Sequence, residues 1–95
     1  MSGFGIEKFD AEAKILRLVS LQGDVIEYTC SYGIFNCTAK AAPTKRISIG
    51  NMSQDVPRDT RFLLEDIFSE KIKAEDHIEQ LVKSSPYKII LNMRS

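Results

Sequence analysis

Apolar and polar residues alternate along much of the first half of the chain. In KILRLVSLQGDVIEYTCSY, residues 14–32, two alternating runs flank a Gly23-Asp24 turn, the signature of a β-hairpin. In the second run Ile26, Tyr28, Cys30 and Tyr32 share one face, while Glu27, Thr29 and Ser31 share the other. That period of two belongs to a half-buried antiparallel strand. In IFNCTAKA, residues 34–41, the apolar set is Phe35, Cys37 and Ala39, so the parity changes from even to odd around Gly33. A bulge or a tight two-residue turn at that glycine accounts for the change.

KRISIG, residues 45–50, predicts a shorter strand with Ile47 and Ile49 inward, and FGIEKF, residues 4–9, adds an edge strand. GNMSQDVPRD, residues 50–59, is dense in turn formers and reads as a loop, with Asp55 or Asp59 as the N-cap of a helix.

From Asp59 to Ser84 there is neither glycine nor proline. At helical spacing Leu63, Leu64, Ile67, Phe68, Ala74, Ile78, Leu81 and Val82 fall in one stripe, which predicts one long helix. Lys71 and Glu75 lie on the centre line of that stripe and mark where it would break. Ser84-Ser85-Pro86 ends it, and YKIILNM, residues 87–93, predicts a last strand.

The expected fold is therefore a two-layer α+β domain spanning residues 1–95. It has a mostly antiparallel sheet of five or six strands, one long helix on one face and a C-terminal strand. The composition supports a packed core: 43% of residues are hydrophobic and 27% charged, with five Phe and three Tyr. Thirteen basic residues balance thirteen acidic ones, so no global field draws the chain to nucleic acid or an anionic membrane. No apolar run approaches the roughly 20 residues that span a bilayer. The N-terminus lacks the basic and apolar regions of a secretory signal, so a cytoplasmic location is expected, with thiols reduced.

The two cysteines, Cys30 and Cys37, offer the most distinctive chemistry. Their spacing and the single His77 do not fit a zinc site, and no metal or other cofactor is expected. If Gly33 sits in a bulge, the two cysteines lie far apart along one strand. If Tyr32-Gly33 is a two-residue turn, they are diagonal neighbours at ~7–8 Å, beyond disulfide reach. Both arrangements predict two free, buried thiols acting as small hydrophobes.

Charge is segregated along the chain. Residues 40–61 carry Lys40, Lys45, Arg46, Arg58 and Arg61 against Asp55 and Asp59, while both flanking segments are net acidic. A basic loop beside a helix N-terminus suits an anionic ligand or an acidic partner. With one histidine and no catalytic constellation, an enzyme is not expected. The reading favoured by the residues is a small protein-binding regulator, inhibitor or adaptor, a homodimer, acting through charged patches. The alternative is a nucleic-acid-associated protein that uses the basic 40–61 segment.

Overall fold

The hairpin read from the alternation forms. In a computed structural model of the chain, which describes residues 3–21, 23–31, 36–41 and 53–84, β1 (Phe4–Asp10), β2 (Ile15–Ser20), β3 (Val25–Ser31), β4 (Asn36–Ala41) and β5 (Ser53–Asp55) follow one another. They build an antiparallel sheet in the order β1-β2-β3-β4-β5. Even-numbered residues of β2 and β3 and odd-numbered residues of β4 face the core. Leu16, Leu18, Ile26, Tyr28 and Ala39 are fully buried. At the β2–β3 turn the Ser20 N–H donates to the Asp24 carbonyl at 2.8 Å, and Gly23 takes φ +91°, where a side chain would strain the backbone.

The expected sheet of five or six strands under one long helix does not form. The sheet has four long strands and the three-residue β5, and the helical segment is divided. α1 (Arg58–Phe68, 11 residues) is followed by a 3-10 turn over Ala74–His77 and by the six-residue α2 (Ile78–Lys83). A straight helix would have buried Lys71 and Glu75 at the centre of its apolar stripe, at a cost of several kcal/mol for uncompensated charge. The chain instead reverses at Glu70, which takes a left-handed φ of +64°.

That reversal is a helix C-cap built without glycine. Ser69 N–H donates to the Glu65 carbonyl at 2.9 Å, Glu70 N–H to Ile67 at 3.0 Å and Lys71 N–H to Asp66 at 3.0 Å. Lys71 and Glu75 become exposed, while Ala74 joins the core and Ile72 packs against it. α1 starts without a side-chain cap, its N-cap being Pro57 rather than Asp55 or Asp59, although Asp59 lies in its first turn. The expected loop over residues 50–59 includes β5, whose Asp55, Gln54 and Ser53 pair with Thr38, Ala39 and Lys40. The expected strands at 45–50 and 87–93 lie outside the described residues.

The core sits between the sheet and the helices. Leu64 and Ile67 of α1 and Leu81 of α2 are fully buried, each side chain contributing about 2–3 kcal/mol of transfer free energy. α1 crosses the sheet. Near its start the Val56 N–H donates to the Cys37 carbonyl on β4 at 3.3 Å, and at its end Phe68 stacks on Phe9 of β1. Among the described residues no helix is long and apolar enough to cross a membrane.

Candidate functional site

Two places stand out, an exposed edge strand and a buried cysteine pair. The first is β1, a terminal strand of the sheet among the described residues. Its register against β2 slips between Ile6 and Lys8, placing a bulge at Glu7. Without the bulge, Ile6 and Phe9 would lie on opposite faces. With it, Ile6 pairs with Leu18 and Phe9 with Leu16, so both side chains point to the helical side. There they are incompletely covered, Ile6 being 38% and Phe9 40% exposed.

Phe9 lies parallel to Phe68 with ring centroids 6.0 Å apart. Beside the pair runs a groove of about 340 Å³, walled by Ile6, Phe9, Ile67, Ile72 and Ala74, with Glu70, Lys73 and Glu75 at its margin. The segment between α1 and the 3-10 turn supplies one wall of this groove, through Glu70, Ile72 and Lys73.

The opposite face of β1 is charged. Glu7 in the bulge and Lys8 after it project outward, and Arg17 of β2 gathers two carboxylates there. Its guanidinium donates to Glu27 at 2.6 and 2.9 Å and reaches Glu7 at 3.5 Å. The hydrogen bond and charge of Glu27 hold the Arg17 pKa above its ordinary value, opposed next by desolvation and aided least by Glu7.

The second place is the cysteine pair. Cys30 and Cys37 are joined in a disulfide, which overturns the expectation of two separate thiols. Ser31 pairs with Asn36, so the β3–β4 connection spans residues 32–35 rather than two residues, and Cys30 stands directly opposite Cys37. Their Cα atoms are 4.0 Å apart, the close approach of a pair that exchanges no backbone hydrogen bonds. The bridge is 8% exposed at Cys30 and 2% at Cys37. Cys37, Asn36, Asp55, Val56 and Arg61 wall a cavity of about 290 Å³ beside it.

Three of the five basic residues singled out from the sequence, Lys40, Arg58 and Arg61, are among the described residues. Lys40 is exposed on the face of β4 that points away from α1. Arg61 lines the cavity at Cys37, and Arg58 lies over the ring of Phe62 at 5.6 Å. Lys45 and Arg46 lie outside the described residues. His77 ends the 3-10 turn, and among the described residues no three of His, Cys, Asp and Glu gather as a metal site.

Comparison of the chain with protein-family models, with curated proteins and with solved structures finds no match. The function is read from geometry. Sequence reasoning found β1 as an edge but not the bulge that turns Ile6 and Phe9 to one face. The signal was the run Ile6-Glu7-Lys8-Phe9, in which two apolar residues are separated by two charges where strict alternation would need one.

Proposed function

We propose that the chain is a non-enzymatic protein-binding domain whose recognition surface is the β1 edge with its apolar groove, and that the partner fitting this edge is a second copy of the chain. The observation that carries the reading is the incomplete cover of Ile6 and Phe9 on the face that is elsewhere closed by helices. A regulator, inhibitor or adaptor role is the kind that such binding serves.

A strand edge with a bulge and two charges normally resists pairing. Here the charges are adjacent and of opposite sign, so self-pairing compensates them. In an antiparallel arrangement about a two-fold axis between Glu7 and Lys8, Glu7 faces Lys8 of the second copy and Ile6 faces Phe9 of the second copy. Like faces meet: the outward charges pair with each other, and the apolar side chains close over the groove. An arbitrary strand lacks this match, so the edge is selective.

The nucleic-acid reading would draw on Lys40, Lys45, Arg46, Arg58 and Arg61. It is the weaker one, because Lys40 points away from the face that carries Arg58 and Arg61. The cytoplasm is the proposed compartment, whose reducing conditions disfavour a persistent Cys30–Cys37 bridge.

Sedimentation velocity over a range of chain concentrations tests the reading. Wild type is expected to form a dimer that Ile6→Asp converts to monomer with unchanged circular dichroism. A wild type that stays monomeric at high micromolar concentration, or that binds duplex DNA at moderate salt, overturns it.

A further inference from the structure

We infer that the cavity of about 290 Å³ walled by Asn36, Cys37, Asp55, Val56 and Arg61 binds a small zwitterion, a free α-amino acid. Arg61 holds its carboxylate and Asp55 its ammonium group. The site lies where β4 begins, β5 ends and α1 starts, and it shares no residue with the groove at the β1 edge. Val56 N–H donates to the Cys37 carbonyl at 3.3 Å, which ties the chain after β5 to β4 just before α1. Cys37 and Val56, 2% and 6% exposed, form the inner wall, and Asn36, Asp55 and Arg61 supply the polar groups.

Arg61 is half-buried, and a guanidinium presents five N–H donors that must find acceptors or water. Its backbone N–H donates to the Pro57 carbonyl at 3.1 Å, yet among the described residues its side chain has no hydrogen bond or ion pair. The other described arginines are engaged: Arg17 gathers Glu27 and Glu7, and Arg58 lies over Phe62. Asp55 lines the same cavity and makes no ion pair with Arg61. Two opposite charges thus share one cavity without closing on each other, and the space between them is left to a guest.

The charges select the class of guest. The planar guanidinium fork matches a carboxylate, which it binds through two parallel hydrogen bonds. A dianion such as phosphate would also meet the negative charge of Asp55, and a bare cation would meet Arg61. A molecule that carries both signs escapes both penalties. Asn36 adds an amide that can donate to the carboxylate or accept from the ammonium group. Lys40, Arg58 and Asp59 do not line the cavity, so its charged walls are Arg61 and Asp55. Small-molecule sites commonly measure about 300–1,000 Å³, and a volume just under that range suits an amino acid rather than a nucleotide.

The test is a nuclear magnetic resonance titration of the nitrogen-15-labelled chain with alanine, propionate, ethylamine and inorganic phosphate at matched ionic strength and pH 7. Propionate is alanine without its ammonium group, and ethylamine is alanine without its carboxylate. Alanine is expected to shift the Asn36 side-chain amide and the Cys37 and Val56 backbone amides saturably, with the millimolar affinity open to so small a ligand. Propionate should bind about threefold more weakly, the effect of one charge at roughly 6 Å in a water-like medium, and ethylamine more weakly still. Arg61→Gln should abolish the shifts, and Asp55→Asn should bring alanine down to the level of propionate. The inference is overturned if alanine gives no saturable shift at these amides, if propionate equals it, or if phosphate binds more tightly. Those outcomes are read on the wild-type protein, so they decide the matter even if an Arg61 variant fails to fold. None of them depends on whether the chain pairs through β1.

Discussion

The hydroxyl of Tyr28, at the centre of the sheet, donates a 2.9 Å hydrogen bond to the backbone carbonyl of Leu81 in α2. Tyr28 is fully buried, so this bond holds the second helix at a fixed height above β3. Tyr28→Phe keeps the ring and removes the donor, leaving the Leu81 carbonyl with the 3.3 Å contact from Ser84. A loss of about 1–1.5 kcal/mol is expected in urea denaturation, with an unchanged slope. A loss within error would mean that α2 is held by packing alone.

The Cys30–Cys37 bridge closes a short loop. Chain-entropy reasoning assigns such a bridge about 2.5 kcal/mol. The Cys30→Ala/Cys37→Ala double variant should therefore unfold at lower denaturant than oxidised wild type. Reduced wild type should unfold close to the double variant, which separates the bridge from the packing of the sulfur atoms.

Glu70 occupies a left-handed conformation, φ +64°, at the end of α1. Glycine carries no Cβ penalty there, so Glu70→Gly is expected to raise stability by roughly 1 kcal/mol, and Glu70→Val to lower it. If Glu70→Gly is neutral or harmful, side-chain contacts at the groove margin outweigh the backbone gain.

These predictions show which parts of the fold the residues disclosed. The faces of β2, β3 and β4 were legible because one-sided burial imposes strict alternation, and the core-facing positions pass from even numbers in β3 to odd numbers in β4. The length of that connection was not legible. Alternation alone does not distinguish a two-residue turn from the four-residue connection that sets Cys30 opposite Cys37, and the disulfide was missed for that reason. The single long helix failed because a glutamate supplied the left-handed stop usually assigned to glycine. β5 was hidden because Ser53-Gln54-Asp55 carries no apolar signal, its pairing with β4 being a backbone property. The basic residues stood out as a segment in sequence, yet strand β4 and helix α1 carry Lys40 and Arg61 in different directions.

Arg17 allows a pH prediction with a definite sign. Its pKa is raised in the folded chain, principally by Glu27. A raised cationic pKa contributes stability that is fully present below the unfolded value and lost only as pH rises through the folded one. The stability difference between wild type and Arg17→Gln should hold constant from pH 7 to about pH 10, far below the arginine range. A difference that decays across that interval would assign the effect to another group.

Self-pairing of β1 makes a charge-exchange prediction. Glu7→Lys sets lysine against Lys8 of the second copy at two symmetric positions, and should weaken the dimer about tenfold. Adding Lys8→Glu should restore most of the affinity, because the pair is then reversed rather than broken. Equal weakening in the single and double variants would show that the charges do not face each other.

The most direct measurement is an isotope-filtered nuclear Overhauser experiment on an equimolar mixture of labelled and unlabelled chain. Contacts between the Ile6 methyl groups of one copy and the Phe9 ring of the other are the predicted result. A dimer whose intermolecular contacts fall elsewhere, or a mixture with none at millimolar concentration, would contradict the assignment of β1 as the recognition edge.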